Sequence, residues 1–307
     1  MNLVLGATGF LGSAVCEMLL NEGVEYYPVS LSTGIDLRNP GEVRALFSEI
    51  KPSKVFFCAA NCGGIQYGLQ KPANIFLDNS RIMLNVFEAA VTHSVERLIN
   101  PIPNCAYPGH LETHQESKFW DGELHESVRA YGSVRKASQV ASEAFAKEYG
   151  LETVSLVFPN LYGPGEHLGD RAHALGGLVQ RLLAAKLNNE SRFTIWGSGN
   201  PVRDWLFVTD AARAMIVASD LPHHANIINY GSDEGVSIAD LARLAAELIG
   251  YSGEFVFDLS KVDGARKKVM VSGMGRKILG ITPLVALEEG LRRTIDWYEH
   301  QNIPISR

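Results

Sequence analysis

Three glycines near the start of the chain carry its first recognisable chemistry. Gly6, Gly9 and Gly12 fall in Gly6-Ala7-Thr8-Gly9-Phe10-Leu11-Gly12, between a short apolar run and a helix-like stretch. In that setting the first glycine permits a tight turn, the second lets backbone approach a pyrophosphate, and the third packs helix on strand. Amides at the helix start then face the phosphates. The spacing predicts a dinucleotide site at Gly6, Thr8, Gly9, Phe10, Leu11 and Gly12. Four cysteines, Cys16, Cys58, Cys62 and Cys105, are the other reactive groups. They form no CxxC pair and have no clustered histidines, so no metal site and no disulfide framework is expected.

The elements that must position these residues alternate. Segments 3–5, 26–30, 55–60, 97–100 and 153–158 have the length and composition of strands. Segments 10–21, 40–50, 73–93 and 131–149 have helical periodicity. This alternation predicts an α/β fold, a Rossmann doubly wound parallel sheet with right-handed crossovers. Asn39-Pro40 and Ser237-Ile238-Ala239-Asp240 supply helix-start chemistry. After about Pro159 the pattern changes. Helices are expected at 173–186, 209–220, 238–249 and 287–299, separated by irregular pieces at 160–170, 197–204 and 258–268. The expected organisation is a dinucleotide-binding domain over 1–160 and a smaller substrate-binding region over 161–307, some of whose segments return to the sheet.

The composition excludes several classes. A formal net charge of -6 over 307 residues opposes general nucleic-acid binding, which needs a basic stripe. No stretch approaches the roughly 20 apolar residues of a membrane span, and no leader-like segment opens the chain. A cytoplasmic protein is expected.

The second strand ends Val29-Ser30-Leu31-Ser32-Thr33. An acid there would hold the ribose 2′-hydroxyl of NAD, and none is present; neither is an arginine for a 2′-phosphate. The hydroxyls of Ser30, Ser32 and Thr33 suit either cofactor, and Asp36-Leu37 would sit near the adenine. NADP or NAD is expected, with the balance toward NADP.

Further motifs carry a resemblance. Ala59-Ala60-Asn61-Cys62-Gly63-Gly64-Ile65, Cys105-Ala106-Tyr107-Pro108, Tyr131-Gly132-Ser133, Pro159-Asn160-Leu161-Tyr162-Gly163-Pro164 and Trp196-Gly197-Ser198-Gly199 with Arg203-Asp204-Trp205-Leu206 run almost end to end. With them the chain resembles the extended short-chain dehydrogenase/reductase superfamily and its NAD-dependent epimerase/dehydratase family, most of all the branch of GDP-L-fucose synthases and related GDP-sugar epimerase/reductases. The resemblance implies a 4-keto sugar inverted at C3 and C5 by a Cys base and a His acid through enediolates, then reduced at C4. It places Cys105 as the base, His173 as the acid, and Tyr131 as the donor of a proton to C4 oxygen. It also puts Ala59, Ala60, Pro159 and Leu161 beside the cofactor, together with Tyr131 and the residue at i+4 from it.

Two residues depart from that pattern. The position at i+4 from Tyr131, a lysine in the family, is Arg135; Lys136 follows about 100° further round the helix and should point elsewhere. Arginine keeps the charge but cannot pass a proton on. The family's Ser or Thr before the CxYP turn is Pro103, which offers no donor. Neighbouring Asn104 could substitute if the turn is reshaped. Pro101 and Pro103 also predict an early end to the fourth strand.

On the substrate side the resemblance points to Arg203 for a diphosphate, since a guanidinium suits phosphate oxygens. It points also to Lys267 and Lys268, and to Asn160 near the sugar diphosphate. The base would be guanine. Trp120, Trp196, Trp205 and Trp297 are expected mostly in packing. Three functions follow: a GDP-sugar epimerase/reductase; a C4 dehydrogenase, reductase or epimerase acting alone on a related nucleotide sugar; or a redox-impaired homologue that binds cofactor and nucleotide. A homodimer through two exposed helices of the Rossmann layer is expected.

Overall fold

The computed structural model describes residues 1–221, 226–261 and 263–301. The first half runs β1 (Asn2–Leu5), α1 (Phe10–Asn21), β2 (Tyr26–Val29), α2 (Pro40–Ile50), β3 (Lys54–Phe57), α3 (Ile65–Gln70), α4 (Pro72–Thr92), β4 (Arg97–Pro103), β5 (Thr113–His114), α5 (Arg129–Tyr149) and β6 (Glu152–Phe158). There follow β7 (Asn160–Tyr162), α6 (Ala174–Leu187), β8 (Arg192–Trp196), β9 (Val202–Phe207), α7 (Val208–Ala218), β10 (Ile228–Asn229), β11 (Gly235–Ser237), α8 (Ile238–Ile249), β12 (Glu254–Asp258), β13 (Lys267–Met270), α9 (Gly273–Leu279) and α10 (Leu287–His300).

Six strands form one parallel sheet in the order β10-β6-β4-β3-β1-β2. The order turns back at β1, which lies between β2 and β3. In such sheets the ligand crevice opens outside the carboxyl ends of the strands at that switch. Alternation along the strands feeds two cores. Leu3, Leu5, Val55 and Phe57 face α2, α4 and α5, while Val4 and Phe56 face α1 and α7. Pro28 sits in β2, the edge strand, where a missing N–H is tolerated.

The fourth strand corrects the expectation drawn from its prolines. It continues to Pro103 and pairs with β6 through Pro101↔Leu156 and Pro103↔Phe158. Its pairing with β3 ends at Ile99. In a parallel ladder alternate residues serve each neighbour, so two prolines of the same parity, beyond the end of β3, withhold no needed donor. The extension carries the chain to Asn104, which is buried in the cavity wall.

The expected helix at 238–249 has its Ser237 cap, which accepts from the Asp240 amide at 3.0 Å. The reciprocal arm of a capping box is replaced, because the Ser237 hydroxyl donates to the Asp240 carboxylate at 2.6 Å. The pieces expected to be irregular contain strands. β7, β11 and β13 pair with β9, β5 pairs with β13, and β8 pairs with β12. A third core fills the space between α6, α8, α10 and β9, with Leu182, Phe193, Ile195, Trp205, Leu241 and Leu291 buried. Trp205 and Trp297 pack there; Trp120 and Trp196 instead are half exposed.

Candidate active site

The glycine turn is built as its spacing demands. Gly6 has φ +84°, and a Cβ on it would stand 2.7 Å from the Ala59 nitrogen; one on Gly12 would stand 2.1 Å from the Gly6 oxygen. No larger side chain fits at either place. From this turn a cavity of about 1580 Å³ runs to the loops after β8 and β12. Typical ligand pockets occupy roughly 300–1,000 Å³, so this one has room for two ligands end to end.

The cavity gathers residues spread over the whole sequence. Thr8, Gly9, Phe10, Leu11, Ser30, Asp36 and Leu37 line one end together with Gly6. Ala59, Ala60, Tyr131, Arg135, Pro159, Leu161, Cys105, Asn104 and His173 line the middle. Asn160, Arg203 and Lys268 line the far end. Two expected residues do not line it. Gly12 is pressed on the turn, and Lys267 is set away because neighbours on a strand face opposite ways; only Lys268 lies on the cavity side of β13.

Close backbone approaches converge the reactive side chains. A Cβ on Gly132 would meet the Cys105 carbonyl at 2.8 Å, so the glycine after Tyr131 lets α5 press on the cysteine turn. That turn is anchored by Tyr107, whose buried hydroxyl donates to Asn229 Oδ1 at 2.8 Å. Gly64 does the same for the loop after β3, where a Cβ would meet the Ala172 oxygen at 2.4 Å. Arg171 then donates to the Cys62 carbonyl from Nη2 at 2.7 Å and Nε at 3.2 Å, tying this loop to the segment before His173.

Arg135 is 4% exposed. Its Nη2 donates to the Ala59 carbonyl at 2.9 Å, and its guanidinium lies 5.2 Å from the Phe57 ring and 5.4 Å from the Tyr131 ring. Its Nε has no partner among the described residues and faces the interior. Lys136 points away as expected, donating to the Phe119 carbonyl at 2.6 Å. Burial pushes the Tyr131 hydroxyl well above its ordinary range, with Arg135 pulling it back. Burial likewise pushes the Cys105 thiol up to about 11, opposed by Lys268 and then Arg135. Lys268 is itself lowered by burial, with Cys105 acting in the opposite direction.

His173 begins α6 with its side chain 39% exposed, and it rests on Glu166, whose side chain is wholly buried. One carboxylate oxygen accepts the His173 backbone N–H at 2.7 Å and its Nδ1 at 3.1 Å. With Nδ1–H so engaged, Nε2 is the nitrogen left to exchange protons. Nothing in the sequence singled out Glu166, a lone acid in an irregular loop. Cys62 was also missed as a site residue; it lies beside Tyr131 in the cavity wall, its thiol pushed up by burial. Arg38 escaped because it lies beyond the end of β2, yet it lines the cofactor end. Trp196 lines the far end rather than the core, with Arg181 4.8 Å behind its ring.

The arrangement can hold an anionic dinucleotide over the turn and an anionic second ligand against Arg203 and Lys268. Between them stand a thiol, an imidazole and a phenol. Groups of these three kinds on one cavity wall can do acid–base chemistry.

Comparison with known proteins agrees with the fold. The model of the NAD dependent epimerase/dehydratase family matches residues 2–231. GDP-L-fucose synthase 1 of Arabidopsis thaliana is 32% identical over 297 residues, covering 96% of this chain and 92% of that one. GDP-L-fucose synthase of Escherichia coli (strain K12) is 29% identical over 307 residues, covering 96% and 95%. A GDP-L-fucose synthetase from Naegleria fowleri, solved bound to NADP, superposes with a TM-score of 0.88 at 25% identity, over 97% of this chain and 93% of that one.

Proposed function

The chain belongs to the NAD dependent epimerase/dehydratase family, and from that premise we propose that it epimerises and reduces a GDP-linked 4-keto sugar with NAD(P)H. The observation that carries the reading is the convergence of Cys105, His173 and Tyr131 on one cavity whose two ends suit two phosphorylated ligands. Cys105, as thiolate, takes a proton from carbon beside the sugar carbonyl. His173, held through Nδ1 by Glu166, returns one from Nε2 on the opposite face. The glycine turn would hold a nicotinamide dinucleotide, which when bound would supply the hydride for C4. Tyr131 gives its hydroxyl proton to the C4 oxygen, and the fixed charge of Arg135 stabilises the phenolate left behind. Asn104, next to the Pro103 that stands where the resemblance puts Ser or Thr, offers a polar side chain to the carbonyl. Arg203 and Lys268 hold the diphosphate, Asn160 stands beside it, and Trp196 offers a face to the base.

A second reading, C4 chemistry alone, is favoured by burial, which holds the Cys105 thiol up at about 11; Pro103 and Arg135, which alter the reducing side and leave the epimerising pair intact, argue against it. Purified protein given GDP-4-keto-6-deoxy-mannose and reduced cofactor separates them. Inversion at C3 and C5 with cofactor oxidation supports the first reading. Oxidation without inversion selects C4 reduction, and neither event would leave a binding homologue. The exposed side chains Leu77 and Leu84 on α4 and Val140 on α5 fit the expected homodimer, which sedimentation would test.

A further inference from the structure

We propose that this site selects NAD(H) over NADP(H), because the end of the cavity that meets the adenosine ribose offers hydroxyls and, among the described residues, no positive charge that is not already paired with carboxylates. The inference rests on the dinucleotide reading of the glycine turn and deepens it. In doubly wound folds the residue at the end of the second strand reads the ribose 2′ position. Here that residue is Ser30, only 6% exposed.

Around Ser30 the side chains form a neutral chain. Thr8 Oγ1 lies 2.9 Å from Ser32 Oγ, which lies 2.9 Å from Ser30 Oγ. Thr33 Oγ1 accepts the Ser30 amide at 2.9 Å. Each hydroxyl donates and accepts, so the group can take up a 2′-hydroxyl. A 2′-phosphate is different. It brings roughly two negative charges and calls for a guanidinium or ammonium to meet them.

Among the described residues Arg38 is the cation lining this end, and each of its three nitrogens already donates to a carboxylate. Nε donates to Asp36 Oδ1 at 2.8 Å, Nη2 to Asp36 Oδ2 at 2.7 Å, and Nη1 to Asp78 Oδ2 at 3.3 Å. Asp78 is itself fixed by Asn61 Nδ2 at 3.0 Å. The Glu42 carboxylate adds a further acceptor, taking the Asp36 amide at 2.7 Å. Two carboxylates share one guanidinium, so the cluster carries net negative charge before Glu42 is counted. Turning Arg38 toward a phosphate would leave both acids uncompensated beside it. The acid that sequence reasoning sought at the end of β2 therefore stands further along, at Asp36 and Asp78, and its field opposes a second phosphate.

Calorimetric titration of the purified protein with NADH and NADPH, at low and at physiological salt, tests this without turnover. NADH is expected to bind at least tenfold more tightly, with the gap narrowing as salt rises. Ser32 is exposed, so Ser32→Arg should fold normally and shift the ratio toward NADPH by tenfold or more. NADPH binding as tightly as NADH, or more tightly, to the unaltered protein would overturn the proposal and leave the dinucleotide site standing. Binding of neither would overturn the dinucleotide reading itself.

Discussion

Arg135 is the residue on which the reducing half of the chemistry turns, and two substitutions separate its charge from its shape. Arg135→Lys keeps a cation at i+4 from Tyr131 but loses the bond to the Ala59 carbonyl and the stacking on Phe57. A hydrogen bond from a charged donor contributes about 1.5–3 kcal/mol, and a cation–π contact adds about 0.5–2 kcal/mol. For a chain of this size the loss lowers the melting temperature by roughly 3–8 °C. Hydride transfer should stay within about tenfold of the parent, because the charge that stabilises the Tyr131 phenolate survives. Arg135→Met removes that charge and leaves burial, with Cys62 and Cys105 beside it, pushing the phenol up unopposed. Since positioned proton donors contribute about 10²–10⁴-fold, the single-turnover rate of nicotinamide absorbance loss should fall by at least 10²-fold. Circular dichroism and melting of each variant control for folding. A folded Arg135→Met protein transferring hydride at the parent rate would refute the role, and a Lys variant falling as far as Met would show that the guanidinium fork itself is required.

Three further outcomes follow from named contacts. His114 is buried against Tyr107, 4.5 Å between rings, with neither nitrogen partnered among the described residues, and its pKa is pushed down by burial from 6.5 to about 3. The unfolded chain therefore binds the proton first. Stability present above pH 6.5 is lost as pH falls toward 3, by up to about 1.4 kcal/mol per pH unit, and urea melts of His114→Phe should show a shallower acid slope than the parent. Glu166→Gln keeps an acceptor for the His173 amide but weakens the hold on the ring through Nδ1. Solvent deuterium exchange into the sugar should slow by about 10–100-fold, with no further loss in a His173→Asn background. Lys268→Gln removes the largest opposing influence on the Cys105 thiol, so alkylation of Cys105 by iodoacetamide at mildly alkaline pH should slow about tenfold or more; unchanged labelling would separate the two residues.

The parts of the fold legible in the sequence were those with strong local chemistry. Helices at Phe10–Asn21, Pro40–Ile50 and Ile238–Ile249 were bounded by a glycine turn, an Asn-Pro start and a Ser cap, signals that act within a few residues. The strands around β9 were missed because two to six residues, paired with partners far along the chain, leave no periodic trace. The prolines of β4 misled for a similar reason: whether a missing donor matters depends on where the neighbouring strand stops. At the site, cysteine, phenol and imidazole were found through motifs. Glu166 and Asp78 were not, because their roles come from contacts with His173 and Arg38 rather than from any local pattern.

The most direct test of the central claim is product analysis in deuterated water with reduced cofactor, comparing the parent with Cys105→Ala. The account predicts deuterium at C3 and C5 with inversion for the parent. The variant should show neither, while it still oxidises cofactor by reducing C4 of the unepimerised sugar. Exchange at the parent rate in Cys105→Ala would contradict it.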